Sequence, residues 1–237
     1  MKLWDIRVTT GLHGQDRTQT RIPDGATSLI FCVLPGEESC LVVLGPRAQA
    51  AYFPGKDVPL TVNVRFRPGR GRVLTGVSMS ELVGRTVPLG ELWGPPGFRL
   101  HRELVADPGH AVERIERALL DRVAVRPNAE MSAGELVFAA TRMLTRERVR
   151  DTARNLNVSE RHLRNLFTDT VGMSPKQLAR VNRVRTVLAR AHRQRGARLA
   201  ADSGYYDQSH MAAEFRAAMG VSLGSYIAGD LPPAQVC

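Results

Sequence analysis

One pattern occurs twice in the C-terminal part of this 237-residue chain, at an offset of 48 residues. The first copy runs from Val158 to Leu178 and the second from Tyr206 to Tyr226. The matched positions are His162 and His210, Leu163 and Met211, Phe167 and Phe215, Gly172 and Gly220, and Ser174 and Ser222. A repeat at a fixed spacing indicates one supersecondary unit used twice. Each copy has the pattern of a helix, a tight turn and a second helix, which predicts two helix-turn-helix units.

In the first copy, turn and cap residues mark where its helices begin and end. Asn157 lies between two apolar periodic segments, and Asn tolerates the left-handed backbone of a tight turn. Ser159 can cap the helix that follows, predicted over 160–170, and Gly172 can end it. We call this helix the first reading helix. The apolar stripes of the two helices are formed by Val149, Ala153 and Leu156, and by Leu163, Leu166 and Phe167.

The polar face of the first reading helix carries side chains that suit DNA. Arginine can bind guanine edges and asparagine can bind adenine edges in the major groove. From the first copy we therefore predict DNA contacts by Ser159, Glu160, Arg161, Arg164, Asn165 and Thr168.

A connecting helix is predicted from Pro175 to Ala191, because Ser174 and Gln177 form a capping box around a proline at the first helical position. At about 1.5 Å per residue this helix spans about 24 Å. That length suits two reading helices one DNA turn, about 34 Å, apart. Its basic side chains are expected to contact phosphates, and we predict such contacts by Lys176, Arg180 and Arg183.

The second copy offers fewer base-reading side chains. Gly204 supplies its turn, and either Asp207 or Ser209 can cap the second reading helix. Alanine can touch a thymine methyl group but cannot form a bidentate hydrogen-bonded pair. The predicted contacts of this copy are Gln208, Ser209, Ala212 and Arg216, and we expect it to read DNA less sharply than the first.

The distribution of charge supports nucleic acid as the partner. Residues 131–200 hold 15 Lys and Arg against 5 Asp and Glu, a net charge of +10, whereas residues 201–237 have a net charge of −3. A positive patch attracts phosphates and releases counterions on binding. The phosphate attraction is therefore predicted for the first copy and the connecting helix.

These residues resemble the AraC/XylS family of bacterial transcription regulators over roughly residues 131–227. The resemblance rests on the S-x-R-H-L-x-x-L-F core of the first copy and the S-H-x-x-x-x-F-x-x-x-x-G core of the second. Leu223 departs from the family pattern, which has a proline there. The resemblance implies a regulator, such as an activator, that binds double-stranded DNA and works with RNA polymerase.

The N-terminal half has a different texture. Strands are predicted over 26–34, 40–44, 49–53 and 60–66, with Pro-Gly turns between them. The Ser78 and Glu81 pair predicts a capping box, and Asp107 with Pro108 predicts the start of a longer helix. We therefore expect an α+β protein with a small barrel or jelly-roll-like domain over 1–127, a linker at 126–131 and an all-α DNA-binding domain over 131–230.

Residues 20–95 resemble the short sensory domain that precedes AraC-type units in actinobacterial regulators. The matching segments are IPDGATSLIF, LGPRAQA and VRFRPGRG. The resemblance implies a small-molecule effector site, with no known ligand, and a homodimer as one possible assembly. Arg65, Arg67 and Arg70 could bind an anion. Alternatively, Arg65 and Arg67 form the solvent face of a strand and Arg70 lies in a turn. Trp4 and Trp93 could line a pocket or pack in the core.

Other functional classes find less support in the sequence. The six histidines do not stand at metal-ligand spacing with cysteines, so we expect no metal, no cofactor and no enzyme. Cys32, Cys40 and Cys237 are expected to be unpaired and the protein cytoplasmic, because no signal peptide or membrane-spanning run is present. Two alternatives stay open: a DNA-binding module regulated by a protein partner, and a DNA-repair alkyl transferase with a reactive cysteine.

Overall fold

The computed structural model of the protein describes residues 3–12, 18–125, 128–144 and 147–234. A strand-rich region precedes a helical region, which confirms the predicted α+β class. Contacts divide the chain into two compact units, and each unit contains sequence from both regions. The units describe packing, and the division into domains 1–127 and 131–230 stays a prediction.

The strands of the described residues lie in two sheets. They are β1 (Trp4–Leu12), β2 (Gln19–Arg21), β3 (Ser28–Val33), β4 (Ser39–Leu44), β5 (Ala51–Phe53), β6 (Val58–Phe66) and β7 (Thr86–Pro88). Five of them form an antiparallel sheet in the order β1-β6-β3-β4-β7, and β2 pairs with β5. Within the confirmed class, the main sheet is therefore open, with β1 and β7 at its edges, and the described strands do not close into one barrel.

Alternation along β6 explains how the sheet is buried on one face. Val62, Val64 and Phe66 are at most 2% exposed, while the residues between them are partly exposed. This is the side-chain period of two that a strand imposes. The four predicted strands are confirmed with small shifts at their ends. The strands β1, β2 and β7 were not predicted, because β2 and β7 are only three residues long and β1 mixes apolar with charged residues.

Seven α-helices complete the first unit within the described residues. They are α1 (Gly71–Thr75), α2 (Leu89–Trp93), α3 (Pro95–Ala106), α4 (Ala111–Ala124), α5 (Asn128–Met143), α6 (Val149–Asn155) and α7 (Glu160–Val171). Apolar residues of α3 and α4 join the buried face of the sheet in one core, with Leu104 and Ile115 fully buried. The predicted linker at 126–131 is wrong in its second part, because α5 already begins at Asn128. Residues 126 and 127 lie outside the described residues.

The second unit begins inside the connecting helix. It contains α8 (Pro175–Arg190) from its second residue onward, α9 (Gly196–Asp202), α10 (Gln208–Met219), α11 (Leu223–Ala228) and the β2–β5 pair. Its core is formed by Val184, Val187, Leu199, Met211 and Phe215, with Ile22 and Ala50 of the N-terminal half packed against it. Of the helices in the described residues, none is long and apolar enough to cross a membrane.

Arg70 closes the turn that follows β6, as one of the two interpretations predicted, and its side chain is buried. It is 1% exposed and donates from one guanidinium nitrogen to the Met131 carbonyl at 3.0 Å. The other terminal nitrogen lies 3.5 Å from the Glu135 carboxylate. The turn at 67–70 packs against α5, where Gly69 and Gly134 allow the two backbones to come close. Sequence alone could not show this because α5 is distant in the chain.

Two capping predictions have different outcomes. The capping box of Ser78 and Glu81 is confirmed, and it opens a short 3-10 turn at Met79–Leu82. Asp107 does not cap the following helix with its side chain. Its carboxylate instead accepts hydrogen bonds from His110 and Arg114 at 2.9 and 2.8 Å. These hydrogen bonds lower the pKa of Asp107 and raise that of His110.

Cys32 and Cys40 form a disulfide, so the expectation of unpaired cysteines is wrong for these two residues. They stand directly opposite each other on β3 and β4, with their Cα atoms 5.2 Å apart. This separation lies within the range that a disulfide requires. The pairing depends on the register of the two strands, which the sequence does not reveal. Cys237 lies outside the described residues.

Candidate nucleic-acid interface

The first helix-turn-helix unit consists of α6 and α7. Asn157 has a φ of +54° in the turn between them, as expected for a left-handed turn residue. The Ser159 hydroxyl accepts a hydrogen bond from the His162 backbone at 3.1 Å and so caps α7, while Gly172 ends that helix with a φ of +75°. Leu163 and Phe167 are fully buried. These local predictions are confirmed, and α7 is the first reading helix.

The predicted contact residues lie along one outer side of α7. Arg161, Arg164, Asn165 and Thr168 are exposed, and Glu160 is partly exposed. The Arg164 guanidinium donates to the Glu160 carboxylate at 3.0 Å, and the Thr168 hydroxyl donates to the Arg164 carbonyl at 3.1 Å. An exposed pair of this kind contributes only about 0.3–0.5 kcal/mol to stability. Arg164 can therefore exchange Glu160 for a base edge at small cost.

The C-terminal end of α7 packs against α1 and the 3-10 turn at Met79–Leu82 within the first unit. Arg72 of α1 forms an ion pair with Asp169 of α7. The Ser78 hydroxyl also donates to the Asp169 carbonyl at 3.4 Å. Gly172 lies so close to the 3-10 turn that a Cβ atom would meet the Met79 carbonyl oxygen at 2.6 Å. The C-terminal end of α7 is therefore fixed by packing.

The basic residues of α8 are partly engaged within the second unit. The Arg183 guanidinium donates to both carboxylate oxygens of Glu214 on α10, at 2.7 Å each. Arg180 lies 3.3 Å from the same carboxylate, and Lys176 is exposed. Arg185, also basic on this helix, pairs with Asp24 at 3.0 Å. Phosphate contacts by Lys176, Arg180 and Arg183 stay a prediction, and Arg183 would have to share its guanidinium with Glu214.

Glu214 of α10 forms a buried ion-pair cluster with α8, which the sequence did not reveal. It is only 8% exposed, and Arg180, Arg183 and His210 surround its carboxylate. Burial lowers the pKa of Arg183, but the hydrogen bonds and charge of Glu214 outweigh this effect and raise it overall. The Tyr205 ring lies 5.2 Å from the Arg183 guanidinium. Burial, with the nearby carboxylate, raises the pKa of Tyr205, so its hydroxyl stays neutral.

The second helix-turn-helix unit, formed by α9 and α10, repeats the geometry of the first. Gly204 has a φ of +80° in its turn, and the Asp207 carboxylate accepts from the His210 backbone at 2.7 Å. Asp207, one of the two predicted candidates, is therefore the cap of α10, which has the same twelve-residue length as α7. The predicted contact residues Gln208, Ser209, Ala212 and Arg216 are all exposed. Leu223, which departs from the family pattern, still opens α11, because the Ser222 hydroxyl caps it.

Tyr206 is a second residue that sequence reasoning missed. It is 96% exposed and stands two residues before α10 begins. Its place immediately after the turn and before the second reading helix was the signal that could have found it. Its ring and hydroxyl lie close in the chain to Gln208 and Ser209.

The C-terminal end of α10 is capped by the β2–β5 pair. The backbone N–H of Ala50 donates to the Ala218 carbonyl at 2.7 Å, and the Tyr52 hydroxyl donates to the Met219 carbonyl at 2.5 Å. These carbonyls are among the four at a helix end that have no partner inside the helix. Burial raises the pKa of Tyr52, so its hydroxyl remains a donor. In both units, N-terminal sequence therefore supports the rear of a reading helix.

No metal site and no reactive thiol were found where the structure can be described. No group of three or more His, Cys, Asp or Glu residues is placed to hold an ion. His210 packs its ring edge-on against Tyr205, with centroids 5.3 Å apart. Cys32 and Cys40 are bonded to each other, and a sulfur in a disulfide is not a thiolate nucleophile. This finding weighs against the alkyl transferase alternative.

Comparison with known proteins supports the helix-turn-helix assignment. Residues 152–229 match the family model described as "Helix-turn-helix domain". No match was found among curated proteins.

Solved structures of ToxT from Vibrio cholerae share a general likeness with the whole chain. ToxT of strain O395 has 12% identity and a TM-score of 0.42, over 97% of this chain and 95% of its own. ToxT of O395 bound to (E)-4-(8-methylnaphthalen-1-yl)but-3-enoic acid has 13% identity and a TM-score of 0.42, over 97% and 96%. Wild-type ToxT of strain SCE256, bound to an unsaturated fatty acid, has 13% sequence identity and a TM-score of 0.41. The match covers 100% of this chain and 99% of the ToxT chain.

Proposed function

We infer that this chain, whose residues 152–229 form an AraC-type helix-turn-helix domain, is a sequence-specific DNA-binding transcription regulator. The duplicated geometry carries this function. Helices α7 and α10 have equal length, side-chain caps at their N-termini and a left-handed glycine at their ends. Both expose polar side chains along their first two turns. Helix-turn-helix proteins insert this part of the second helix into the major groove.

We assign base reading mainly to α7. Arg161, Arg164 and Asn165 are exposed there and can pair with guanine or adenine edges. To Ser159 and Thr168, at the two ends of this exposed side, and to Lys176 at the start of α8, we assign contacts with phosphate oxygens. Glu160 holds Arg164 in the free protein and can accept from a cytosine amino group in the complex.

To the second helix-turn-helix unit we assign a weaker role, which is to position the protein on the DNA. Gln208 can pair with an adenine, Ala212 can touch a thymine methyl group, and Arg216 can meet a phosphate. Tyr206 can donate its hydroxyl to a phosphate oxygen beside the groove. Because residues 201–237 carry a net charge of −3, this unit attracts the DNA backbone less than the first.

Arg164→Ala tests the base-reading role of α7. The preferred site is first selected from random DNA, and affinity is then measured for that site and for an unrelated duplex. We expect a loss of about 1–3 kcal/mol on the selected site, confined to one or two base pairs. Arg102→Ala serves as the control. Arg102 is exposed on α3, so this substitution removes the same charge at a position outside the helix-turn-helix.

Equal losses on the selected and unrelated duplexes would show that Arg164 contacts a phosphate instead of a base. Failure to select any preferred sequence would contradict the function itself. Stability is not a confounding factor, since the pair with Glu160 is exposed and contributes little.

We propose that the strand-rich half receives the regulatory signal. In the first unit, α1 and the 3-10 turn at 79–82 contact α7, so a change there can reach the first reading helix. A small-molecule effector is the first candidate, and a protein partner is the alternative. A melting screen of the full chain against metabolites separates them, because a ligand that binds the folded state raises the melting temperature.

Further features of the proposal follow from the role in transcription. An activator of this kind would contact RNA polymerase, and a homodimer would double the DNA contacts. Chromosomal DNA lies in the bacterial cytoplasm, which is the location we propose. The absence of enzyme activity stays a prediction.

A further inference from the structure

A cavity of about 340 Å³ lies between α3 and α4 in the first unit. Trp93, at the end of α2, and the buried Leu100 of α3 are among its apolar lining residues. This volume falls within the range of about 300–1,000 Å³ that is typical of small-molecule sites. The cavity is distinct from the DNA-contacting residues of α7.

Positive charge dominates the lining of this cavity. Its arginines are Arg99, Arg114, Arg117 and Arg122, against the two acids Glu103 and Asp121. Within the described residues, the side chains of Arg99 and Arg117 have no hydrogen bond or ion pair, while the Arg114 side chain donates to Asp107 at 2.8 Å. The exposed guanidinium groups of Arg99 and Arg117 are therefore available to a bound anion.

The remaining lining selects the shape of the ligand. The Trp93 indole N–H donates to the Leu74 carbonyl at 2.9 Å, so only carbon atoms of the ring are left to line the cavity. The Arg122 guanidinium lies 5.3 Å from the ring centroid. Guanidinium groups bind planar carboxylates with two parallel hydrogen bonds, whereas a metal cation would be repelled by the net positive lining. A flat apolar body with one carboxylate therefore matches the cavity.

A short path of direct contacts joins this cavity to the first reading helix. Leu74, which accepts the Trp93 hydrogen bond, lies on the five-residue helix α1. Arg72 on the same helix forms an ion pair with Asp169 of α7 and lies 3.9 Å from Glu130 of α5. A ligand that moves the Trp93 ring would thus move α1, which holds the rear of α7.

We propose that this cavity binds a small aromatic carboxylate, and that the bound acid changes DNA affinity through Trp93, α1 and the Arg72–Asp169 pair. The proposal rests on the regulator function above and names the effector site and its chemistry. Coupling of this kind is reciprocal, so operator DNA and the acid must change each other's affinity by the same factor.

The binding test uses the full chain with benzoate, phenylacetate and 2-naphthoate, and the matching primary amides as neutral controls. Calorimetry and tryptophan fluorescence should show binding of at least one acid below about 1 mM, with its amide at least about tenfold weaker. Arg99→Gln with Arg117→Gln should weaken the acid at least about tenfold. Arg102→Gln, on the same helix but outside the cavity, should not.

The binding part would be overturned if none of the three acids bound by about 1 mM. Amides that bound as tightly as acids, or an unchanged affinity in the Arg99 and Arg117 double variant, would also overturn it. Selective DNA binding is measured on the same samples. Its presence without acid binding rejects only the cavity proposal, whereas its absence rejects the regulator function.

The coupling test uses Arg72→Gln, since Arg72 lines neither the cavity nor the DNA-contacting side of α7. In the wild type the acid should change operator affinity by roughly fivefold or more, the lower range of ordinary allosteric coupling. Arg72→Gln should bind the acid normally but lose most of this change. An undiminished change in Arg72→Gln, or no change in the wild type, would overturn the path through α1.

Discussion

Replacement of Gly172 by alanine should test whether the first reading helix is fixed by the 3-10 turn behind it. Gly172 ends α7 with a φ of +75°, a conformation that is unfavourable for alanine. The added Cβ would also lie 2.6 Å from the Met79 carbonyl oxygen and 2.9 Å from a Val83 methyl carbon. Contacts below 3.0 Å with backbone atoms force either the turn or the helix end to move.

The repeat supplies a matched control in Gly220. This residue ends α10 with a φ of +74° and the same backbone hydrogen bond, but an added Cβ would meet no atom within 4 Å. Gly220→Ala should therefore lose only the conformational contribution, about 1–2 kcal/mol. Gly172→Ala should lose that and a packing contribution of about 1–3 kcal/mol, for a total of about 2–5 kcal/mol.

Urea unfolding of both variants measures the free energies, and amide hydrogen exchange places the effect in the chain. We expect faster exchange over α7 and residues 79–82 in Gly172→Ala, and over the end of α10 alone in Gly220→Ala. Equal destabilisation by the two substitutions would refute the close contact between α7 and the 3-10 turn.

Further predictions concern the core, the buried carboxylate and the operator. Phe167→Ala and Phe215→Ala should each lower the free energy of unfolding by about 3–5 kcal/mol, because both rings are fully buried; wild-type melting of either variant would remove that assignment. Glu214→Ala should cost about 3 kcal/mol, since it leaves Arg183 without its carboxylate, and Arg180→Ala less than about 1 kcal/mol. Similar losses of unfolding free energy for these two variants, measured by urea unfolding, would contradict the assignment of Glu214 as the main partner of Arg183. A complete base-substitution scan of the operator should show one sharply defined half, read by α7, and one tolerant half, read by α10. Equal penalties in both halves would refute unequal reading.

The sequence alone determined the features that depend on neighbouring residues. The turn at Asn157, the cap Ser159 and the end at Gly172 could all be predicted, because each involves backbone groups only a few residues away. The same holds for the exposed side of α7, since helical spacing alone puts Arg161 and Leu163, two residues apart, on opposite sides. For the cap of α10 the sequence left two candidates, Asp207 and Ser209, and the structure decided for Asp207. The 48-residue repeat made these local signals consistent with one another, and consistency across levels is what makes a prediction secure.

Tertiary structure alone decided the pairings between distant residues. In the sequence Glu214 is one acidic residue among several, and only the packing of α8 against α10 pairs it with Arg183. Cys32 and Cys40 are paired only because of the register of β3 and β4. Arg70 became buried because α5 packs over its turn, and the carbonyls at the end of α10 found Ala50 and Tyr52 from a segment far earlier in the chain. In each case the partner's position follows from the packing of whole elements, whereas caps and turns are set by short-range hydrogen bonds that the chain carries in its own order.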